Sequence, residues 1–353
     1  MKKDIKVAIF TMAYNAEHTI CRTVDSVLSQ TFQNFQYFLL DNGSTDKTTE
    51  IVGKYGASDE RIVPLFIKKN DPTNGGPFFQ LIVNATDADY FVWLDADDEY
   101  TPDFLENMVN FACENNLDIA ACGYDKIDGI TNEVIKHRAL HENLVIFDDL
   151  FTERFIDYRG FMMVLWGKLY SIPFLRDKKT KSSKSREANG YTAFWDASFV
   201  HNLCKDAQRI GIYGKSMHRY YQYARSLTHS QIENNVKGIK IYYNTAKRYL
   251  ESYGPISDIN QQFLYAIFLS LVEEIVGYIL SADVATEYKL TLLMDVYSDK
   301  LWKETLECDA DPMFHSLAAR DQVVSDMKEK ILGLENIEQY AAKQQCLFTY
   351  FMI

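Results

Sequence analysis

Five apolar residues, Tyr90-Phe91-Val92-Trp93-Leu94, run without a break into Asp95-Ala96-Asp97-Asp98. A strand with one wet face alternates apolar and polar side chains, so an unbroken run predicts a strand covered on both faces, as in a parallel sheet layered by helices. The preceding residues keep the same rhythm. Val7 to Phe10, Tyr37 to Leu40 and Ile62 to Ile67 read as strands. Ala16 to Thr31 reads as a helix on the spacing of Ile20, Val24, Val27 and Leu28,. Thr45 to Tyr55, with Ser44 as its cap, and Phe78 to Ala85 read as two more,. This alternation predicts an α/β fold with a mostly parallel central sheet flanked by helices. Asp118 to Ala121 adds a further short strand. Helical patterns then dominate over Val236 to Tyr249, Ile259 to Leu280 and Thr286 to Leu306, predicting a mainly helical C-terminal region.

Sheets of this kind take ligands at the carboxyl ends of their strands. Three polar clusters fall there: Thr11 to Asn15, Asp41 to Asp46, and Asp95 to Asp98. Carboxylates crowded into the last cluster repel one another unless a cation stands among them, and oxygen-only ligands suit Mg²⁺ or Mn²⁺. A solvated acidic turn capping the helix after Pro102 is the alternative. Asp41 offers an acceptor for a base N–H such as the imide of uracil, or it anchors a capped turn with Gly43 and Ser44. Tyr14 suits either a base or ribose face or the core.

The formal charge of -12, from 37 basic and 49 acidic side chains, disfavours general nucleic-acid binding,. No G-x-G-x-x-G follows the first strand, which argues against a dinucleotide dehydrogenase,. Thr11 to Glu17 also lacks the glycines and basic residue expected of a nucleotidyltransferase. The six cysteines form no CxxC pair and read as buried thiols of a reducing compartment,. Ile5 to Phe10 is soon followed by Asn15 and Glu17, so it reads as a strand rather than a leader. Phe263 to Leu280 carries Glu273 and Glu274 and reads as a buried or amphipathic helix rather than a membrane span,. These readings predict a cytoplasmic location. Leu347 to Ile353 leaves peripheral membrane contact open.

Taken in order, several blocks resemble the inverting, nucleotide-sugar-dependent glycosyltransferases of family 2, which have the GT-A fold. The blocks are Thr11-Met12-Ala13-Tyr14-Asn15, Ser26 to Phe32, Leu39 to Asp46, Phe91 to Asp98, and Pro102-Asp103-Phe104-Leu105. The likeness is clearest over residues 5 to 125. It returns at Trp166-Gly167-Lys168-Leu169-Tyr170, at Phe194 to Phe199, and from His218 to Ser230.

The resemblance implies a GT-A domain over 1–233, with a nucleotide-sugar half at about 1–125 and an acceptor half at about 126–233, then a helical region over 234–353. It implies nucleotide-sugar contacts from Thr11, Ala13, Tyr14, Asn15, Asp41, Asn42, Asp95, Ala96 and Arg225. Asp97 is implied as the direct ligand of Mn²⁺ or Mg²⁺, with Asp95, Asp98 and His218 as further candidates, and Asp196 as the catalytic base. Asn42 departs from the more usual second aspartate, and Trp195 stands where glutamate is common. The implied activity is inverting transfer from a nucleotide-diphospho-sugar, UDP-linked, to a glycan or lipid-linked acceptor in polysaccharide synthesis. A non-catalytic nucleotide- or sugar-binding module in a glycan-assembly complex is the competing reading. Lys168 is a candidate support of the acceptor cleft, and the basic stretch Lys178 to Arg186 a candidate phosphate contact. The helical region is a candidate for self-association.

Overall fold

The computed structural model describes residues 4–71, 73, 75–177, 195–223, 232–309, 313–314 and 318–334. The chain separates into two compact units, one over Met1–Tyr191 with Phe199–Tyr223 and the other over Thr192–Ser198 with Ala224–Ile353.

The first unit is built on one sheet, ten-stranded among the described residues. Its strands are β1 (Val7–Ala13), β2 (Phe35–Asn42), β3 (Ile62–Ile67), β4 (Tyr90–Trp93), β5 (Glu99–Tyr100), β6 (Ile119–Asp128), β7 (Val134–Arg138), β8 (Leu144–Phe147), β9 (Lys168–Ser171) and β10 (Arg209–Gln222). They lie in the order β3-β2-β1-β4-β9-β6-β10-β5, with β7 on β6 and β8 on β10. The four strands β3-β2-β1-β4 are parallel. Antiparallel β9 joins them to a second parallel pair, β6 and β10.

Helices α1 (Ile20–Leu28), α2 (Thr48–Ser58), α3 (Gly75–Ala85) and α4 (Phe104–Asn115) connect the strands. The mostly parallel α/β layering expected from the alternation is therefore present. Val7, Ala8, Ile9 and Phe10 of β1 have no exposed surface, as expected of a central strand packed on both faces,. Chain order reverses around β1: β2 and β3 lie on one side, β4 on the other. In sheets of this kind ligands bind at such a switch point, here beyond the carboxyl ends of β1, β2 and β4.

Local boundaries differ from the sequence reading where side chains found other partners. Helix α2 starts at Thr48 rather than Thr45, and Ser44 does not cap it. The Ser44 hydroxyl instead accepts the Asn15 amide at 2.9 Å, while Asp46 accepts the Thr48 amide at 2.9 Å. Strand β6 is longer than four residues, because β7 and β10 pair its polar second half. Two of the described cysteines, Cys21 and Cys113, are exposed rather than buried, and no disulfide joins any described pair.

The second unit is helical. After α5 (Trp195–Asp206), which carries residues of both units, come α6 (Ile232–Glu251), α7 (Asp258–Ser281), α8 (Thr286–Tyr297), α9 (Lys300–Glu307) and α10 (Arg320–Leu332). The single helix expected over Thr286 to Leu306 is broken, because the Asp299 carboxylate accepts the Leu301 amide at 2.9 Å and starts α9 afresh. Helix α7 is long and apolar enough to cross a membrane by length and composition, a property it shares with core helices. Its Leu264, Leu269, Val272, Val276 and Ile279 are buried, and Glu273 and Glu274 face outward. Leu347 to Ile353 lies outside the described residues.

Candidate functional site

The Asp95–Asp98 turn is held in place from one face of α1. Thr19 just before that helix donates to the Ala96 carbonyl at 2.9 Å. One turn on, Arg22 donates to the Asp97 carbonyl at 2.5 Å. The Ser26 hydroxyl accepts the Tyr100 amide at 3.3 Å. Gln30 closes the row, donating to the Thr101 carbonyl at 2.7 Å and accepting the Leu105 amide at 2.9 Å. Residues 19, 22, 26 and 30 recur at helical spacing, so they form one polar ladder. The apolar positions Ile20, Val24 and Val27 pack into the core on the other side.

Arg22 was not singled out in the sequence, yet it binds the site at several points. Beyond the Asp97 carbonyl, its guanidinium donates to the Tyr223 hydroxyl at 3.1 Å and pairs with Glu99 at 3.0 Å. It also lies 3.6 Å over the Tyr221 ring. The available signal was a cation on the polar face of the helix, three residues after Thr19.

The three aspartates part company. Asp98 turns inward and is completely buried. Its Oδ2 meets His218 Nε2 at 2.8 Å, and its Oδ1 accepts the Tyr221 amide at 3.0 Å. Burial, then the charges of Asp97 and Asp95, lift the Asp98 carboxyl well above the usual range. Burial, and then Lys168, push the His218 imidazole well below its own. His218 is therefore neutral, clamped between Asp98 and the Trp166 ring stacked at 4.2 Å. This pair joins β5 to β10. Both Asp98 oxygens are engaged there, so Asp98 acts as a positioning group, while the buried His218 Nδ1 makes no hydrogen bond.

Asp95 Oδ1 accepts from the Trp93 indole at 3.0 Å. Asp97 is the exception: it is half-buried, and among the described residues no other residue donates to its carboxylate. Burial accordingly raises its pKa, opposed by Arg22. Its own backbone amide also opposes the rise, and a desolvated carboxylate with no further donor gains from a compensating cation.

Around the corner, the ends of β1 and β2 interlock. Ala13 stands beside Asp41 in the sheet register. Thr11 is buried, with its hydroxyl accepting from Tyr37 at 2.9 Å, so its side chain belongs to the core rather than the crevice. Tyr14 is 45% exposed, which removes the core alternative for that ring. Asn15 takes a left-handed backbone (φ 49°), and its side-chain oxygen accepts the Thr45 amide at 2.8 Å. Asp41 is 2% exposed and receives the Ser44 amide at 3.1 Å and the Thr49 hydroxyl at 2.5 Å. Asn42 is buried too, and its amide donates to Asn70 Oδ1 and to the Asp71 carbonyl, both at 2.9 Å. An aspartate at 42 would present an acceptor to those two acceptors. Asn42 thus holds the loop after β3 against the turn.

Gly43 makes that approach possible. Its φ is 74°, and a Cβ there would lie 2.6 Å from the Asn70 amide nitrogen and 2.7 Å from the Lys69 carbonyl carbon. Gly43→Ala is expected to lose about 2–4 kcal/mol of stability from backbone strain plus overlap. A denaturation midpoint equal to wild type would contradict this close approach.

The remaining candidates are more scattered. Asp196 lies in the first turn of α5, within the segment grouped with the second unit. Arg225 and the basic stretch Lys178 to Arg186 lie outside the described residues. Lys168 is 1% exposed, and its ammonium donates to the Val164 and Trp166 carbonyls at 2.5 and 3.1 Å. It fastens the turn at Gly167 (φ 63°) beneath the Trp166–His218 stack.

Among the described residues no group of three or more His, Cys, Asp and Glu side chains is arranged to hold a metal. Asp97, with Asp95 beside it, still fits a hard divalent cation, since such ions bind through one or two carboxylates when substrate phosphates complete the shell.

Residues 8–173 match the family model described as glycosyl transferase family 2. An uncharacterized glycosyltransferase of Haemophilus influenzae is 34% identical over 130 residues, covering 36% of this chain and 50% of that protein. Glycosyltransferase GlyA of Streptococcus pneumoniae is 26% identical over 183 residues, 48% of this chain and 25% of that protein. The chain therefore spans half the length of the first relative and a quarter of the second. The crystal structure of S. aureus TarS 1–349 in complex with UDP superposes with a TM-score of 0.51 at 16% identity, covering 85% of this chain and 90% of that one. At that identity the likeness establishes the fold. The match is carried by the strands and the acidic turn just described, so residues 8–173 form a region similar to glycosyltransferase family 2.

Proposed function

We propose that the protein transfers a sugar, with inversion, from a UDP-linked donor to a hydroxyl of a glycan or lipid-linked acceptor in polysaccharide synthesis. The observation that carries this is the half-buried Asp97 carboxylate at the switch point of the sheet, which among the described residues receives a hydrogen bond only from its own backbone amide, while Asp98 meets His218 and one Asp95 oxygen meets Trp93. The base would meet Asp41 and Tyr14, at the strand ends opened toward the crevice. S. aureus TarS 1–349, which shares the fold, was solved with UDP.

Asp97, assisted by Asp95, would hold Mn²⁺ or Mg²⁺. Such an ion, when bound, stabilises the charge that develops on a departing diphosphate. Asp196 is the proposed base, taking the acceptor hydroxyl proton as that oxygen attacks the anomeric carbon. The bond from that carbon to the diphosphate breaks on the opposite face, and nucleoside diphosphate leaves. Work at the cytoplasmic side of a membrane would suit a lipid-linked acceptor. Asn42 gives no support to a binding-only module, because its amide has a structural task of its own.

A screen of nucleotide sugars for binding, donor hydrolysis and transfer, with Mn²⁺, Mg²⁺ or chelator, tests the proposal. Binding without any turnover across donors would leave only the non-catalytic reading. Asp196→Asn is expected to keep donor binding and lose transfer by about 10²–10⁴-fold. Wild-type turnover in that variant would remove Asp196 from the base role.

A further inference from the structure

Strands β6, β7 and β10 sort their charges by face. Tyr124 pairs with Arg138 and His218, and Lys126 pairs with Lys136 and Tyr220. Residues opposite one another in a sheet share a face, so Lys126, Lys136, Arg138, Tyr124, Tyr220 and His218 stand together. The Trp166 ring confirms it, touching Tyr124, Tyr220 and His218 at centroid distances of 5.1, 5.2 and 4.2 Å. The alternate residues Asp125, His137 and Arg219 occupy the other face, where His137 pairs with Asp125 at 2.5 Å.

A further cation joins the first face. Residues 159–161 form a short 3-10 turn, and Arg138 runs across it with its guanidinium 5.8 Å from the Phe161 ring centroid. The absent side chain of Gly160 makes the room, since a Cβ there would lie 1.7 Å from Arg138 Nη1. Arg159 beside it is 8% exposed, and burial, then Arg138, lower its pKa to about 9. Lys126, Lys136, Arg138 and Arg159 are thus gathered in a chain of net charge -12. The nearby acid Asp128 is engaged in its own turn, accepting the Ile130 and Thr131 amides at 2.9 and 2.8 Å. Glu133 is exposed at that turn.

Like charges are held together at a cost that a bound anion would offset. The face is continuous with the acidic turn: Arg138 is two strands from His218, which meets Asp98, so about 10 Å separates their backbones,. The geometry points to an anion subsite, formed by Lys126, Lys136, Arg138 and Arg159, that takes a phosphate or carboxylate group of the acceptor. Assignment to the acceptor rests on the transferase reading above; anion binding at this face does not.

Calorimetric titration with short-chain inorganic polyphosphate, oligogalacturonate and neutral dextran, each with excess UDP present, tests this. The protein is expected to bind at least one polyanion, more weakly as salt rises, and not dextran. Polyphosphate alone identifies a phosphodiester acceptor, and oligogalacturonate alone a uronate one. The pair Lys136→Gln and Arg138→Gln should weaken binding about tenfold. Lys126→Gln with Lys136→Gln should do likewise without disturbing Arg138 against Phe161. Lys54→Gln, whose lysine pairs with Glu50 at 2.6 Å on α2, removes a charge elsewhere and should change nothing. Absence of polyanion binding, wild-type affinity in both double variants, or an equal loss in Lys54→Gln would overturn the subsite. Failure of UDP itself to bind would count against the nucleotide reading and leave the polyanion result standing.

Discussion

Asp97→Ala is expected to abolish metal-dependent nucleotide-diphosphate binding and to lower transfer by about a hundredfold or more, while the fold survives. The magnitude follows from an ion worth several kcal/mol at a developing diphosphate charge, at about 1.4 kcal/mol per decade. The fold should survive because the Asp97 side chain receives no donor from another described residue, and Arg22 reaches its main-chain carbonyl, which alanine retains. Removing a desolvated carboxylate is expected to be neutral or stabilising by thermal melting. Calorimetry of UDP with and without Mn²⁺ reads the binding directly. Full Mn²⁺-dependent affinity in Asp97→Ala would end the cation assignment.

The opposite pattern is expected one residue further on. Asp98→Ala strands the His218 Nε2 and the Tyr221 amide in a fully buried place, and should cost about 3–5 kcal/mol,. Asp98→Asn can still accept from Tyr221 and place its amide toward a neutral imidazole, so it should cost far less. Chemical denaturation of the two variants provides the test. Equal losses would show that charge, rather than the two hydrogen bonds, holds the pair. Adjacent aspartates would thus separate into one that acts on ligand and one that holds β5 to β10. If Asp97→Ala were instead the destabilised variant, this division of roles would be reversed.

Much of the first unit was legible because burial dictates side-chain patterning. A strand covered on both faces must be apolar throughout, so β4 was read to within a residue; β3, at the edge of the sheet, was read to its observed ends from its apolar run alone,. The polar clusters at the strand ends were legible for the same reason: apolar runs stop where the crevice begins. The resemblance singled out Asp97 among the three aspartates, but the partner of Asp98 was not legible: His218, which meets it at 2.8 Å, comes 120 positions later. Thr11 likewise looked like a crevice wall until Tyr37 claimed its hydroxyl.

The longer-range pieces were illegible on simple grounds. Arg22 sits in an ordinary amphipathic helix, and its partners Asp97, Glu99, Tyr221 and Tyr223 come from two distant segments. The basic face of β6 and β7 needs a strand register to appear, since Lys126, Lys136 and Arg138 are interleaved with Asp125 and His137 in the chain. By itself the sequence determined the α/β layering and the polar clusters at its strand ends, because hydrophobic periodicity and local turn chemistry act between near neighbours, and its motif blocks carried the resemblance to family 2. Tertiary structure alone decided which carboxylate binds His218 and which cations share a surface. Those outcomes depend on desolvation and on donors brought in from elsewhere, and neither is written into a residue's immediate neighbourhood.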